Sequence, residues 1–440
     1  MLFLSRCLSL LGGFAVLQGA YAGLDLSSNS TVTVYWGQNS LNGTGTLAQQ
    51  RLGYYCDNPN IDVIILAFLI KVNGAGGAPV IDFASSNDKC ETFPGTDLRS
   101  CPEIGDDITA CQAKNKTILL SIGGATYSEG EFTSAAAAEA GADLIWATFG
   151  PVQAASRTSR IGSAGRGHAI QAHRPFGNAV IDGFDFDFEA AVSNMGAFAT
   201  KLRSLADADK SKKYYLTAAP QCPFPDLGDQ DILNTNASGA IDAVWVQFYN
   251  NYCGIDTYTN GGVGSFNFET WDTWALKESK NPHVKVYLGV PANTGAATTG
   301  YLPISSLTPV IQYSKTFESF GGVMMWDVTQ AYGNQGFLEG VKGALRGSAA
   351  GNTPGAVKGP KQQESEIPVL EEESVSNTSP QTTVQPQQTH SSNTQDADAS
   401  SSAQQSAGEP QQNEDPPRPL ILFPSLMEPD ADLPWIEIEI

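Results

Sequence analysis

The residues Asp182-Gly183-Phe184-Asp185-Phe186-Asp187-Phe188-Glu189 carry a carboxyl at every second position from Asp185, with a phenyl ring between each pair. In an extended strand, residues two apart share a face and lie about 6.6 Å from one another. Asp185, Asp187 and Glu189 therefore line one side, and Phe184, Phe186 and Phe188 the other. Three acids stacked in a shielded interior cannot all ionise. Like charge and desolvation raise at least one pKa, or make a pair share a proton. The product is a carboxylic acid still protonated near neutral pH, able to hand its proton to a leaving oxygen. Calcium loops also space acids by two, but they interleave Gly and polar residues, not three phenylalanines. A solvated acidic edge strand would not place Phe at every alternate position.

Such a strand needs a scaffold that buries both of its faces. Between Gly23 and Arg346 the sequence holds eight short β-rich runs: Thr31–Trp36, Val63–Leu69, Thr117–Ile122, Val180–Glu189, Tyr214–Ala218, Ala243–Tyr249, Val284–Gly289 and Gly322–Asp327. Most are continuous apolar stretches, as expected of strands covered on both sides. Helix-like segments alternate with them, including Ser134–Phe149, Asn194–Ala206, Phe268–Lys280 and Leu307–Phe317. Eight strands alternating with helices imply an α/β fold of the (β/α)8 TIM-barrel type. In a barrel the phenyl rings pack outward under the helices and the acids point to the axis, with Glu189 at the strand end where barrel active sites form. An open doubly wound sheet would carry a Gly-rich phosphate turn after its first strand. Trp36-Gly37-Gln38-Asn39 stands there instead.

The rest of the chain sets bounds on the setting. Residues 1–22 read as a secretory signal peptide, with Arg6, an apolar stretch from Leu8 to Leu17 and the small-x-small site Ala20-Tyr21-Ala22. No later run is long and apolar enough for a transmembrane helix. Cys7 lies in the signal. The six remaining cysteines, Cys56, Cys90, Cys101, Cys111, Cys222 and Cys253, fit three disulfides in a secreted protein, in any of about 15 connectivities. Asn29, Asn42, Asn115, Asn236 and Asn377 open N-x-Ser/Thr sequons. From Gly347 to Ile440, Gln, Ser, Pro, Glu and Asp dominate, and fifteen acidic residues face three basic ones. That composition implies a disordered low-complexity tail. A formal net charge of −21 argues against a nucleic-acid partner. The domains expected are thus residues 1–22, 23–346 and 347–440, in a monomeric extracellular protein with or without cell-wall association. The four histidines, His168, His173, His283 and His390, fall outside every motif, so neither a metal site nor a cofactor is expected.

Asp-Gly-Phe-Asp-Phe-Asp-Phe-Glu resembles the DGxDxDxE signature of family 18 glycoside hydrolases, in particular the class III (hevamine-like) fungal and plant endochitinases. The likeness extends to Tyr35-Trp36-Gly37-Gln38-Asn39, Ser121-Ile122-Gly123-Gly124, Val244-Trp245-Val246-Gln247-Phe248-Tyr249-Asn250-Asn251 and Gly322-Val323-Met324-Met325-Trp326-Asp327, in order and on the expected strands. The resemblance implies roles. Glu189 matches the general acid, Asp187 the neighbour that orients the substrate's acetamido group, and Asp185 the acid beneath it. Tyr249 matches the hydroxyl that binds the acetamido carbonyl, and Gln247 shares its inward face. Trp326 matches the aromatic floor under the sugar, while Gln38, Gly124 and Asp82 match cleft residues. The two glycines of the third-strand motif would let the backbone approach a ligand. The implied cysteine pairs are Cys56 with Cys111, Cys90 with Cys101, and Cys222 with Cys253.

The activity this implies is retaining, substrate-assisted hydrolysis of β-1,4-linked N-acetylglucosamine polymers, with chitin or chito-oligosaccharides as partner. Two other functions use the same fold: a noncatalytic chitin-binding lectin or inhibitor, and an endo-β-N-acetylglucosaminidase acting on N-glycans. The connector from Ser156 to Arg174 departs from the family pattern. It is basic and aperiodic in an acidic protein, and reads equally as a surface-loop insertion on the barrel's bottom face or as a translated intron or sequence error foreign to the working protein.

Overall fold

The protein is described by a computed structural model over residues 23–127, 132–152, 172–259 and 264–347. The expected signal, the tail beyond Gly347 and most of the basic connector lie outside the described residues. Eight parallel strands form the fold: β1 Thr31–Trp36, β2 Val63–Lys71, β3 Thr117–Gly123, β4 Gly183–Asp187, β5 Tyr215–Ala218, β6 Ala243–Gln247, β7 Lys285–Pro291 and β8 Phe320–Trp326. Each pairs with the next, and β1 pairs with both β2 and β8, in the registers Thr33↔Val63 and Thr31↔Gly322. The sheet therefore closes into a barrel with no free edge. A two-residue strand, Val80–Ile81, runs antiparallel to the end of β2.

Alternation along the strands sorts side chains into two apolar groups. Tyr35, Ile65, Leu119, Trp245, Tyr287 and Met324 pack with one another inside the barrel. Val34, Trp36, Leu66, Leu120, Phe184 and Phe186 face the surrounding helices. Those helices are α1 Pro102–Ala113, α2 Ala135–Phe149, α3 Met195–Ala208, α4 Phe268–Lys277, α5 Ile304–Ser314 and α6 Phe337–Arg346. Local chemistry sets their limits. Pro102 opens α1, where a missing N–H costs nothing. The Ser134 hydroxyl accepts from the Ala137 N–H and caps α2. Gly347 takes φ +78° just after Arg346 and closes α6.

All eight expected strands are present, and their ends are where sequence and structure differ. β4 was expected over Val180–Glu189 but its ladder runs only from Gly183 to Asp187. At its start the Asp182 carboxylate accepts from the Ile118 N–H (2.8 Å), from Gln112 (2.9 Å) and from Lys212 (2.8 Å), and so anchors the strand from below. Past Asp187 the chain leaves the sheet, so Glu189 stands just beyond the ladder, not within it. The connector also needs correction at its end. Arg174 is built into the barrel, donating to the carbonyls of Ala147, Gly150, Gly177 and Ala179 at 2.6–3.2 Å. His173 stacks on Phe93. Only residues 153–171 of this region lie outside the described ones.

Three disulfides tie the segments that flank the strands: Cys56–Cys111, Cys90–Cys101 and Cys222–Cys253. These are the pairs that the family resemblance implies. No helix among the described residues is long and apolar enough to cross a membrane.

At the N-terminal end of the barrel, Lys342 of α6 pairs with Asp62, whose Oδ2 also accepts from the Val32 N–H at 2.8 Å, and Lys342 reaches the Ser30 carbonyl at 3.1 Å. Both side chains are largely hidden, at 7% and 11% exposure. Removing one partner of such a pair strands the other charge in a poor solvent. Lys342→Met is therefore expected to cost about 3–5 kcal/mol of stability, read by chemical denaturation. A loss under 1 kcal/mol would show that the pair does not anchor α6.

Candidate active site

The carboxyl stack projects from β4 into the C-terminal mouth of the barrel. Asp185 is the deepest, with no exposed surface. Its Oδ2 accepts from the hydroxyls of Tyr35 (2.7 Å) and Ser121 (2.8 Å), and its Oδ1 from that of Thr217 (2.6 Å). β1, β3 and β5 thus each supply one donor to the acid from β4. Burial raises the Asp185 pKa, and the Thr217, Tyr35 and Ser121 hydroxyls pull it down.

One layer higher, Asp187 is 4% exposed. Its Oδ1 accepts from Gln247 Nε2 at 2.8 Å, and the same amide nitrogen donates to the Ala219 carbonyl at 2.8 Å. Gln247 is thereby locked with a donor facing the acid. Burial, then the charges of Glu189 and Asp185, push Asp187 well above the ordinary carboxylate range, and the Gln247 hydrogen bond opposes them. Glu189 presents an exposed residue surface, yet protein atoms crowd its carboxyl and that burial raises its pKa as well. Asp187 and Glu189 form a coupled pair that retains a proton at a pH where isolated carboxyls have lost theirs.

Tyr249 follows β6 by two residues. Its ring is 6% exposed, and burial together with the charges of Asp187 and Glu189 holds its hydroxyl strongly in the protonated, donating form. Trp326 ends β8 with its ring part-exposed to the mouth. It stacks on Phe68 (6.0 Å between centroids, 21° between planes) and leans on Tyr35 (5.5 Å). Two carboxyls, a phenol, an amide and an indole therefore converge on one opening, where a sugar can be gripped by its face and protonated at a bridging oxygen.

The remaining expected residues are used by the barrel itself. Gln38 Nε2 donates to the Ala67 carbonyl (2.7 Å) and the Asp82 carbonyl (3.2 Å) and fastens the end of β1 to that of β2. The Asp82 Oδ1 accepts from the Ala84 N–H (2.9 Å) and from Asn87 (2.7 Å). Gly124 gives its N–H to the Asp187 carbonyl at 2.7 Å. A methyl group on Gly123 would lie 2.1 Å from that same oxygen, and one on Gly124 would lie 2.7 Å from the Phe68 ring. These glycines let β3 approach Asp187 and Phe68.

Sequence reasoning missed five members of the site. Tyr35, Ser121 and Thr217 surround Asp185; the first two open the motifs noted at β1 and β3, and inward parity on their strands is the signal for all three. Asp226 and Asp229 lie in the Pro225–Asp229 turn after β5 and look like ordinary turn residues. Asp229 is wholly buried, and neither of its carboxyl oxygens meets a hydrogen-bond partner at bonding length. The Phe188 N–H faces it too weakly to offset burial and the charges of Asp226, Asp187 and Asp185, which hold Asp229 far above the ordinary range. No cluster of three or more His, Cys, Asp or Glu able to hold a metal ion occurs among the described residues.

A closed (β/α)8 barrel with stacked carboxyls, an aromatic floor and a phenol at its C-terminal mouth defines a glycoside hydrolase architecture. The profile of the glycosyl hydrolases family 18 matches residues 31–317. A class III chitinase of Arthroderma benhamiae is 49% identical over 348 residues, covering 79% of this chain and 94% of that protein. Endochitinase 33 of Trichoderma harzianum is 46% identical over 335 residues, covering 76% and 97%. Among solved structures, a xylanase and α-amylase inhibitor protein from Scadoxus multiflorus aligns with TM-score 0.54 and 29% identity, over 73% of this chain and 99% of that one. The chain belongs to glycosyl hydrolase family 18.

Asp229 yields a stability prediction. The unfolded carboxyl ionises near pH 4, whereas the folded one keeps its proton to a much higher pH. Between those limits the folded state holds the extra proton, so stability falls as pH rises. Asp229→Asn, permanently neutral, is expected to melt higher than the parent at pH 7 and close to it at pH 4. A melting difference that stays the same across this range would rule out a neutral Asp229.

Proposed function

We propose that this chain is a secreted endochitinase that cleaves β-1,4-linked N-acetylglucosamine polymers with retention of anomeric configuration. The observation that carries the proposal is the Asp185–Asp187–Glu189 stack, in which burial and mutual repulsion keep a proton on the outermost pair. The family and the names of its relatives supply the substrate class. Secretion rests on the leader-like N-terminus together with the three disulfides.

In the reaction, Trp326 lies under the face of the sugar at the scissile bond. Glu189 gives its proton to the bridging oxygen, and the leaving chain departs with that oxygen as a hydroxyl. The sugar's own acetamido oxygen forms the new bond to the anomeric carbon, producing a cyclic oxazolinium ion. Family 18 needs no separate carboxylate nucleophile for this step. Tyr249 donates to the acetamido oxygen before attack and holds it in line. Asp187, steadied by Gln247, faces the acetamido nitrogen and offsets the positive charge of the ring. Glu189, now ionised, takes a proton from water, whose oxygen opens the oxazolinium and restores the acetamide. Two displacements on one carbon return the original configuration.

The inhibitor-like neighbour favours a second reading, in which the barrel binds a glycan or an enzyme without turnover. The complete set of Glu189, Asp187, Gln247, Tyr249 and Trp326 favours catalysis, since a binding protein has no need of a protonated acid pair. An N-glycan substrate would use the same acids and is distinguished by assay on high-mannose glycoprotein.

Glu189→Gln keeps the shape and removes the transferable proton. It is expected to lower kcat on chitohexaose by about 10²- to 10⁴-fold while oligosaccharide binding persists. Parental activity is expected to decline as pH rises through the ionisation of the Asp187–Glu189 pair, because the proton to be donated is lost there. Proton NMR of the first product should show the β-anomer. Turnover by Glu189→Gln above a tenth of parental, or an α-anomer as first product, would overturn the mechanism.

A further inference from the structure

The hydrogen-bond network stops short of the proton donor. Asp185 has three hydroxyl donors and Asp187 has Gln247, but no hydrogen bond holds the Glu189 carboxyl among the described residues. The backbone of Phe188–Glu189, beyond the last rung of β4, must therefore set where the carboxyl sits. What packs behind that backbone is the turn after β5. Gly228 approaches the Phe188 carbonyl so closely that a methyl group on it would lie 1.8 Å from the oxygen.

Asp226 shapes this turn. It is 7% exposed. Its Oδ1 accepts from the Gln221 N–H at 3.2 Å and its Oδ2 from the Asp229 N–H at 2.7 Å. One carboxylate thus draws both ends of the turn together and delivers Gly228 between them against Phe188. The base of the loop is fixed independently, by the Cys222–Cys253 disulfide and by the Cys222 N–H donating to the Gln247 carbonyl at 3.2 Å. Burial raises the Asp226 pKa, and the backbone N–H groups of Asp229, Gln221 and Gly228 pull toward the ionised form. Among the described residues, no lysine, arginine or histidine stands among the leading groups that bear on it or on Asp187. The ionisable groups around the pair are Asp185 on β4, Tyr35 on β1, Tyr249 after β6, and Asp226 and Asp229 in the turn.

We propose that Asp226 is a positioning residue for the Glu189 acid. Through Gly228 it fixes the Phe188–Glu189 backbone from behind, and its carboxylate adds to the negative charge around Asp187. The proposal rests on the hydrolase reading above and extends it to a residue that touches no substrate. Repulsion across the cluster helps the pair keep its proton. Packing acts mechanically, since small displacements of a proton donor cost large factors in rate.

The test compares Asp226→Asn and Gly228→Ala with the parent, using kcat, KM and the pH dependence of kcat/KM on chitohexaose, with circular dichroism as a check of folding. Asp226→Asn keeps one acceptor oxygen and removes the charge. It is expected to retain roughly a tenth of parental kcat, to keep KM within about two-fold, and to move the alkaline limb to lower pH. Gly228→Ala displaces the backbone and changes no charge, so kcat is expected to fall with the alkaline limb in place. A folded Asp226→Asn with parental kcat, or with lowered kcat and an unmoved alkaline limb, would overturn the proposal. Should Asp226→Asn not fold, Gly228→Ala decides, and parental kcat in that variant would overturn it. A parent that leaves chitohexaose intact removes the hydrolase reading itself, whereas an active parent with unchanged variants removes only the role of Asp226.

Discussion

The structure depends on keeping carboxyls in a place from which water has been removed. Asp185 has no exposed surface and Asp187 almost none, and each ionised group would lose most of its solvation there. The barrel makes this tolerable by division of labour. Three other strands, β1, β3 and β5, give Asp185 its hydroxyls, a fourth gives Asp187 its amide, and among the described residues no hydrogen bond holds the outermost acid at the opening. Hydrogen-bond support is densest at the floor of the stack and thins toward its tip, while the strongest upward pull on a carboxyl falls on Asp187 between the other two acids. The gradient is built along a single strand by nothing more than alternation and the closure of the sheet.

The same constraint explains the glycines near β4. An acid stack can be served by β3 only if that strand comes close, and Gly123 and Gly124 allow an approach that any side chain would block. The opposite end of the barrel is stabilised by other means, with the Lys342–Asp62 pair and the Asp182–Lys212 pair tying strand starts to helices and loops. Stability chemistry and proton chemistry are thus kept at opposite ends of one set of strands, as the barrel architecture generally allows.

Much of this was legible in the sequence, for physical reasons that differ by residue. The Phe184, Phe186 and Phe188 alternation identified a buried strand with acids on its inner face, because period two is a direct property of the extended chain. The apolar runs located all eight strands but not their ends, since ends are set by side chains such as Asp182 that bond across the barrel. Gln38, the Asp82 Oδ1 and the Gly124 N–H also make hydrogen bonds that join strands and loops, a use that motif spacing cannot carry. Asp226 and Asp229 were illegible because they lie about forty residues from Asp187 in a Pro- and Gly-rich turn, where aspartate is commonplace. Arg174 was misread because composition described its neighbours, whereas its own four carbonyl contacts exist only after folding.

The Cys222–Cys253 bridge closes a ring of chain that contains Asp226, Asp229, Gln247 and Tyr249. Gln247, Tyr249 and the Asp226–Asp229 turn are therefore held on one covalent circuit, while the acids themselves arrive separately from β4. Such a circuit can diverge as a cassette. Changes inside it reach Asp229, Gln247 and Tyr249 in the same event, without touching the residues that define the family signature. Two barrels with identical acids can in this way differ in pace and pH range, and the difference would be written in a segment that carries no carboxyl of the signature.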